Sequence, residues 1–166
     1  MTAFLLKSPF IHIIKAIASG LFTGYLPKAP GSWGSLLCCV ILWFARPAAW
    51  YYQALIIFAV WIVAEFTAGI AEEIYGHDNR RIVIDEIAGQ SVALFMAPHT
   101  VISFFLAFLL FRMFDIVKLP PAREWEKLQG GRGVVADDMA AGLYAAILLQ
   151  MIIALLKGVG AEWMIL

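Results

Sequence analysis

The sequence predicts an all-α, polytopic integral membrane protein that folds as a single domain over residues 1–166. Two observations predict this class. Apolar residues make up 63% of the chain and charged residues only 14%, against roughly 45–50% and 25% in soluble proteins. Four long stretches also contain no charged side chain. The formal net charge of zero excludes a basic nucleic-acid binder, because no overall positive field would attract a polyanion.

These four stretches predict the membrane helices, because a spanning helix needs about 20 predominantly apolar residues. They are Ala29–Ala45, Pro47–Ala64, Ile87–Phe111 and Met139–Leu156. The first two are expected to form a helical hairpin that turns at Arg46-Pro47, since proline breaks a helix. The first helix is expected to begin near Trp33, and the last stretch predicts one further crossing.

The third stretch contains Pro98-His99 at its middle. It predicts either one kinked span or a re-entrant pair of short helices that enters and leaves the membrane on one side. The surrounding charges favour the pair. Ahead of all four stretches, Pro9–Leu26 mixes His12 and Lys15 with apolar residues at loose helical spacing. That pattern indicates an amphipathic interfacial helix or a packed cytoplasmic helix.

Basic residues indicate which ends of the helices face the cytoplasm, since cytoplasmic loops are enriched in lysine and arginine. Most of them lie in three regions, formed by Lys7, Lys15 and Lys28, by Arg80 and Arg81, and by Arg112, Lys118, Arg123, Lys127 and Arg132. Placing all three regions inside gives a multi-pass topology. It also puts the acidic residues described next, which are the candidates for an active site, on the cytoplasmic side of the membrane.

Acidic residues collect beside the apolar stretches, where ionised groups are costly and are therefore candidates for function. They are Asp85, Glu86, Asp115, Asp137 and Asp138. A helix cap would explain any one acid of the two pairs, and an ion pair with Arg112 or Lys118 would explain Asp115. Capping requires only one acid at each site, however. Together the acids predict a divalent-cation site, and oxygen ligands without cysteine favour Mg²⁺ over Zn²⁺.

Glycine-rich and basic segments beside these acids predict phosphate binding. Gly130–Gly133 is expected to form a loop that leads into a helix and exposes backbone N–H groups to phosphate, with an ordinary turn as the alternative. Another small-residue helix start follows Lys28, and Arg112 and Lys118 add charged donors near Asp115. The phosphate-binding candidates are Lys28, Ser32, Arg112, Lys118, Gly131 and Arg132. His77-Asp78 would serve as a base or an outer ligand, or simply as a solvated loop pair.

These candidates fall in four sequence blocks. The blocks are PKAPGSWGS (27–35), GHDNRRIVIDEIAG (76–89), FRMFDIVKLPP (111–121) and GGRGVVADDMAAG (130–142). In order and spacing they resemble the phosphatidylglycerophosphatase A family of bacterial lipid phosphatases. All the acids of the family pattern are present. The departures are Ser32, where threonine is common, and Leu119, where proline usually follows the lysine.

The resemblance implies a Mg²⁺-dependent phosphatase of the bacterial inner (cytoplasmic) membrane with an all-helical fold. Its substrate would be a membrane phospholipid, phosphatidylglycerophosphate, hydrolysed to phosphatidylglycerol and inorganic phosphate on the route to cardiolipin. We expect Asp85, Glu86, Asp137 and Asp138 to hold the metal. Asp115 would be a further ligand, the nucleophile or a base. Attack by water and an aspartyl-phosphate intermediate both stay open, with water favoured.

The competing class is a non-catalytic transporter or channel subunit that uses intramembrane acids as an ion path. That class requires charges within the spans, whereas these acids lie at the ends of the apolar stretches. A soluble all-helical hydrolase with a very apolar core is a third possibility. A carbonate wash would release such a protein from membranes but would not release a spanning one.

Overall fold

The computed structural model describes residues 10–76, 79–120, 131–161 and 163. Within these residues the chain forms six α-helices and one short 3-10 helix, with no strand. The helices are α1 (Phe10–Ala18), α2 (Pro30–Ala45), α3 (Trp50–Tyr75), α4 (Ile84–Ala93), α5 (Val101–Val117) and α6 (Gly131–Gly158). The predicted all-α class is confirmed.

Helix α4 lies at the centre of the bundle, where it packs against α2, α3, α5 and α6. Two glycines bring α4 and α6 unusually close together. A Cβ atom at Gly89 would lie 2.5 Å from the carbonyl oxygen of Asp138, and a Cβ atom at Gly142 would overlap the carbonyl oxygen of Gly89. Small residues allow helix backbones to approach in this way. The first turn of α4 therefore lies beside the acidic pair of α6.

In the described part of the chain, two helices, α3 and α6, are long and apolar enough to cross a membrane. They contain 26 and 28 residues, or about 39 and 42 Å at 1.5 Å per residue. A hydrocarbon layer is about 30 Å thick, so each helix is about 10 Å longer than the layer. The length and apolar composition of these two helices are consistent with a membrane protein.

The connection between α2 and α3 lies where the sequence predicts a turn, at Arg46-Pro47. The hairpin itself differs from the expectation, because α2 packs mainly on the central α4 and α3 packs mainly on α6 and α4, rather than on each other. Helix α2 also begins earlier than Trp33. It starts at Pro30, which suits the first helical position because that residue's N–H would have no intrahelical partner.

The third uncharged stretch forms two helices, α4 and α5, separated by residues 94–100. Polar side chains from elsewhere in the chain bind the backbone of this connection. Arg46 donates to the carbonyl oxygens of Leu94 and Ala97 at 3.1 and 2.6 Å. Gln53 accepts from the N–H of Met96 at 3.0 Å. These bonds satisfy backbone groups that would be costly to leave unpaired in an apolar setting.

Replacing Arg46 with methionine is expected to lower the free energy of unfolding by about 1.5–3 kcal/mol, because hydrogen bonds from a charged donor are lost. Thermal unfolding in detergent micelles measures the change. The control is Arg80→Met, which removes the same charge from an exposed residue. Equal midpoints for the two variants would contradict the role given to Arg46.

The amphipathic segment predicted at Pro9–Leu26 forms α1 and then a 3-10 helix at Thr23–Tyr25. Helix α1 buries Ile14 and Ala18 and packs on α3. Phe10 and Ile13 remain exposed. The segment is therefore helical as predicted, with one packed face and one exposed apolar face, and its position at the membrane interface or in the cytoplasm stays a prediction.

Candidate active site

Carboxyl groups from three helices meet at the close crossing of α4 and α6. One oxygen from each of Asp85, Glu86 and Asp138 lies within 4.8 Å of the other two. Asp115, on α5, is within hydrogen-bonding reach of Asp138. The structure thus brings four of the five predicted acids together. We call these four residues the acid cluster.

Helix α4 contributes two members of the acid cluster from its first turn. Asp85 and Glu86 follow the N-cap residue Val83, which offers no side-chain cap. Negative side chains are favoured in a first turn because the N–H groups and the helix dipole present positive charge there. Asp85 is therefore not the N-cap of α4, so helix capping does not explain why an acid is at this position.

Helix α6 contributes its acids from a position well inside the helix. Because α6 begins at Gly131, Asp137 and Asp138 lie about two turns from its start and cannot cap it. Only 7% of Asp137 and 4% of Asp138 is exposed. Buried acids in mid-helix need another explanation, since a charged carboxylate is costly to bury without partners.

Burial changes the proton affinity of the α4 acids. It raises the pKa of Asp85 well above the ordinary value, and the neighbouring charges of Glu86 and Asp138 raise it further. Burial also raises the pKa of Glu86, although a hydrogen bond with Asp85 and the charge of Arg112 oppose the increase. Both shifts have the same physical cause, which is negative charge concentrated where water is scarce.

Two cations of α5 contact the acids. The Nη1 atom of Arg112 lies 2.9 Å from Oδ2 of Asp115 and 3.9 Å from Oε1 of Glu86. The Nζ atom of Lys118 lies 3.0 Å from Oδ2 of Asp137. The predicted ion pair between Arg112 and Asp115 is therefore present. It lies at the acid cluster, so it does not exclude a role for Asp115 in the site.

The backbone at Lys118 has an uncommon conformation. Lys118 is the C-cap of α5 and has φ +47°, in the left-handed region. Residues other than glycine adopt this region infrequently, and such residues often lie at functional sites. The conformation ends α5 at the residue that contacts Asp137, so it is part of what positions the lysine.

The donor set fits a hard divalent cation. Oε2 of Glu86 and Oδ2 of Asp138 are buried and have no hydrogen-bond partner within the described residues. Buried oxygens without partners are uncommon, and oxygen ligands at close spacing are what Mg²⁺ prefers. The grouping contains Asp85, Glu86 and Asp138. The fourth predicted ligand, Asp137, is paired instead with Lys118.

The start of α2 lies against the acid cluster. A Cβ atom at Gly31 would overlap Oε1 of Glu86 and would lie 3.1 Å from Nη1 of Arg112. Ser32 is in the same turn and is partly buried, whereas Lys28 is exposed just before the helix. The structure therefore brings this predicted phosphate-binding segment to the acids through Gly31.

The glycine-rich segment before the second acidic pair differs from the expected phosphate loop. From Gly131 onward it is already helix α6, and a Cβ atom at Gly131 would overlap the carbonyl oxygen of Glu65 on α3. The glycine thus permits close helix packing. Gly130 and the predicted pair His77-Asp78 lie outside the described residues.

Arg132 lies apart from the acid cluster. It is six residues before Asp138, which at 100° per residue places the two about 120° apart around α6. Its side chain is exposed and lines a groove between α3 and α6. Of the predicted phosphate-binding side chains, the structure brings Arg112 and Lys118 into contact with the acids.

Gln90 is a further polar residue of α4 that the sequence pattern did not predict as part of the site. This residue is fully buried, and neither polar atom of its side chain has a partner within the described residues. It follows Glu86 by four residues on α4, so the two side chains share one face of the helix. That spacing was the available signal. A buried amide of this kind offers both a donor and an acceptor to a water or a bound phosphate.

Comparisons with known proteins define the class of this protein as a phosphatase of phospholipid metabolism. The family model described as Phosphatidylglycerophosphatase A matches residues 16–153. The chain belongs to the phosphatidylglycerophosphatase A family. The resemblance carried by the four sequence blocks is confirmed.

Curated relatives match most of the chain. A Phosphatidylglycerophosphatase A from Haemophilus influenzae is 32% identical over 149 residues, covering 85% of this chain and 89% of the relative. The Escherichia coli protein of the same name is 29% identical over 139 residues, covering 82% and 81%. A Bacteroides thetaiotaomicron protein named as a candidate phosphatidylinositol-3-phosphatase is 38% identical over 147 residues, covering 81% and 90%. No solved structure matches the chain.

Gly31→Ala is expected to lower phosphatase activity by about 10²-fold, because the new methyl group displaces Glu86 and a misplacement of about 1 Å can cost that much. The helix itself should tolerate alanine well. Gly69→Ala is the matched control, since its Cβ atom would be 3.4 Å from its nearest neighbour. Equal phosphate release by the two variants would show that Gly31 does not position the site.

Proposed function

We propose that this protein hydrolyses phosphatidylglycerophosphate to phosphatidylglycerol and inorganic phosphate, using Mg²⁺ held by the acid cluster. One observation carries the proposal. Partly or fully buried carboxylates from three helices converge beside Arg112 and Lys118. Acids that can hold a divalent cation, next to donors that suit phosphate, form a site for phosphoryl transfer.

The residues divide into two chemical roles. Asp85, Glu86 and Asp138 would hold Mg²⁺, with Asp137 close by. Bound Mg²⁺ would offset the charge of the phosphate group and lower the pKa of a coordinated water. Arg112 and Lys118 would bind phosphate oxygens through charge-assisted hydrogen bonds. Both cations now contact carboxylates, so each can exchange a carboxylate oxygen for a phosphate oxygen over a short distance.

Hydrolysis requires a nucleophile and a proton balance. When water attacks, its oxygen bonds to phosphorus, the bond from phosphorus to the glycerol oxygen breaks, and that oxygen takes up a proton. Asp115 lies near both Arg112 and Asp138, so it is placed to accept the proton from water. The same position would let Asp115 attack phosphorus directly, with water releasing the phosphate in a second step.

The location of the site supports a reaction at one face of a bilayer. The first turns of α2 and α4, the last turn of α5 and the first third of α6 meet at the same end of the bundle. This end carries Arg112 and Lys118, and basic residues mark the cytoplasmic side. We therefore place the site at the cytoplasmic face of the bacterial inner membrane, in a multi-pass protein. There it would supply phosphatidylglycerol and, downstream, cardiolipin.

A second lipid phosphomonoester is a candidate substrate. The Bacteroides thetaiotaomicron relative, named for phosphatidylinositol 3-phosphate, is 38% identical to this chain. Both candidate substrates present a phosphomonoester on a polyol headgroup that is attached to a diacylglycerol. The acid cluster would treat their phosphate groups alike, so the choice between them depends on headgroup shape.

Phosphate release from a panel of substrates tests the proposal. The purified protein in mixed micelles with Mg²⁺ is offered phosphatidylglycerophosphate, phosphatidylinositol 3-phosphate and water-soluble glycerol 3-phosphate. We expect the highest kcat/KM for phosphatidylglycerophosphate. Faster hydrolysis of phosphatidylinositol 3-phosphate would replace the proposed substrate. Failure to hydrolyse any of the three, by folded protein, would refute the proposed activity.

A further inference from the structure

An apolar groove of about 990 Å³ lies between α3 and α6. Its walls are formed mainly by Ile57, Phe58, Trp61, Met139 and Leu143. Along α3 it extends from Ala54 to Glu65, which is about 16 Å at 1.5 Å per residue. One leaflet of a hydrocarbon layer about 30 Å thick has nearly the same depth. The groove therefore has the length and the polarity of a single acyl chain.

One end of the groove carries a pair of opposite charges. Glu65 and Arg132 are the charged residues among the groove's described lining residues. They belong to the same end, because α3 and α6 come into contact where Gly131 meets the backbone of Glu65. Neither side chain forms an ion pair with any described residue. Both charges are thus available to a ligand at this end of the groove.

The groove is separate from the acid cluster. Arg132 and Met139, which line it, are about 20° apart around α6, whereas Asp138 is about 120° from Arg132. A lipid in the groove would accordingly bring its headgroup to Arg132 on one face of α6, whereas the acids lie on another face. Its headgroup would lie at the same end of the bundle, since Arg132 is only about 9 Å along the helix axis from Asp138.

We propose that this groove binds one zwitterionic phospholipid with a primary ammonium headgroup, such as phosphatidylethanolamine. One acyl chain would fill the groove, the phosphate would bind Arg132 and the ammonium would bind Glu65. An anionic headgroup lacks the second match, because it leaves the Glu65 carboxylate facing further negative charge. The proposal goes beyond the hydrolysis described above, since neither its substrate nor its product carries an ammonium group.

Lipid retention measured by native mass spectrometry tests this inference on the full chain. The protein in detergent is offered dioleoyl phosphatidylethanolamine and dioleoyl phosphatidylglycerol. We expect one phosphatidylethanolamine to be retained with about tenfold preference, because a charge-assisted hydrogen bond contributes enough free energy for that ratio. Glu65→Gln should remove the preference, and Arg132→Gln should reduce the retention of both lipids.

Two matched alanine-to-phenylalanine substitutions on α3 test whether the lipid binds in the groove. Ala54→Phe fills the deep end of the groove and should abolish selective retention. Ala59→Phe makes the same change at an exposed position of the same helix and should leave retention unchanged. Circular dichroism establishes folding, and the Glu65→Gln and Arg132→Gln variants keep the test valid if Ala54→Phe does not fold.

Three results would overturn the inference. Equal retention of the two lipids by the wild-type protein would show that the charged pair does not recognise the headgroup. Retention that survives in folded Ala54→Phe protein would move the lipid elsewhere. A lipid-free dimer that Ala54→Phe dissociates would show that a second copy of the chain occupies the groove.

Discussion

Asp138→Asn is expected to lower kcat for phosphate release by about 10³-fold, the scale of losing a group that stabilises charge in a transition state. Asp138 lies near Asp85, Glu86 and Asp115, and only 4% of it is exposed. Asparagine keeps the shape of the side chain but removes one negative charge. In EDTA the variant should be at least as thermally stable as wild type, because repulsion among buried carboxylates is relieved.

A fall in kcat without a fall in thermal stability separates a catalytic role of Asp138 from a structural one. If Asp138 only held the helices together, activity and thermal midpoint would fall in parallel. The control is Glu73→Gln, which removes a negative charge from an exposed residue of α3. Phosphate release by Asp138→Asn at the level of this control would contradict the assignment of the acid cluster.

Gly142→Ala is expected to destabilise the protein by about 1–3 kcal/mol or more, the usual cost of overpacking a close contact. The new Cβ atom would overlap the carbonyl oxygen of Gly89 and lie 3.0 Å from Cβ of Val92. Because the obstacle is backbone, α4 and α6 must separate. That movement takes Asp138 away from the first turn of α4, so phosphate release should fall as well. Thermal unfolding in detergent measures the change.

Gly158→Ala is the matched control on the same helix. A Cβ atom at Gly158 would meet nothing within 4 Å, and alanine is favoured over glycine in a helix by up to about 1 kcal/mol. The same glycine-to-alanine change should therefore lower the free energy of unfolding at Gly142 and raise it slightly at Gly158. Comparable midpoints for both variants would show that the glycine crossing does not determine the helix spacing.

The acid cluster could be predicted from the sequence because ionised side chains next to apolar stretches are costly in free energy and are easy to recognise there. Adjacent acids directly before apolar stretches, as at Asp85-Glu86, must be solvated by something other than lipid. The pairing of acids from different helices was not visible in the same way. It depends on the close approach at Gly89 and Gly142, which a sequence pattern gives only as two small residues.

Helix boundaries limited the prediction of the other site residues. The Met139–Leu156 stretch marks the apolar part of α6, whereas the helix begins eight residues earlier, at Gly131. Arg132 lies on the groove side of α6 because the helix begins at Gly131 and because Gly131 packs on α3. The break between α4 and α5 was predictable from Pro98. The side chains that bind its backbone, Arg46 among them, are distant in the sequence.

The measurement that tests the central claim most directly is the Mg²⁺ dependence of hydrolysis. Protein stripped with EDTA is assayed for phosphate release from phosphatidylglycerophosphate while Mg²⁺ is returned, alongside Asp85→Asn, which changes a member of the acid cluster. We predict no release in EDTA, saturable recovery with Mg²⁺ in the wild-type protein, and weak recovery in the variant. Full activity in EDTA, or full recovery by Asp85→Asn, would contradict the account of these acids as a metal-dependent phosphatase site.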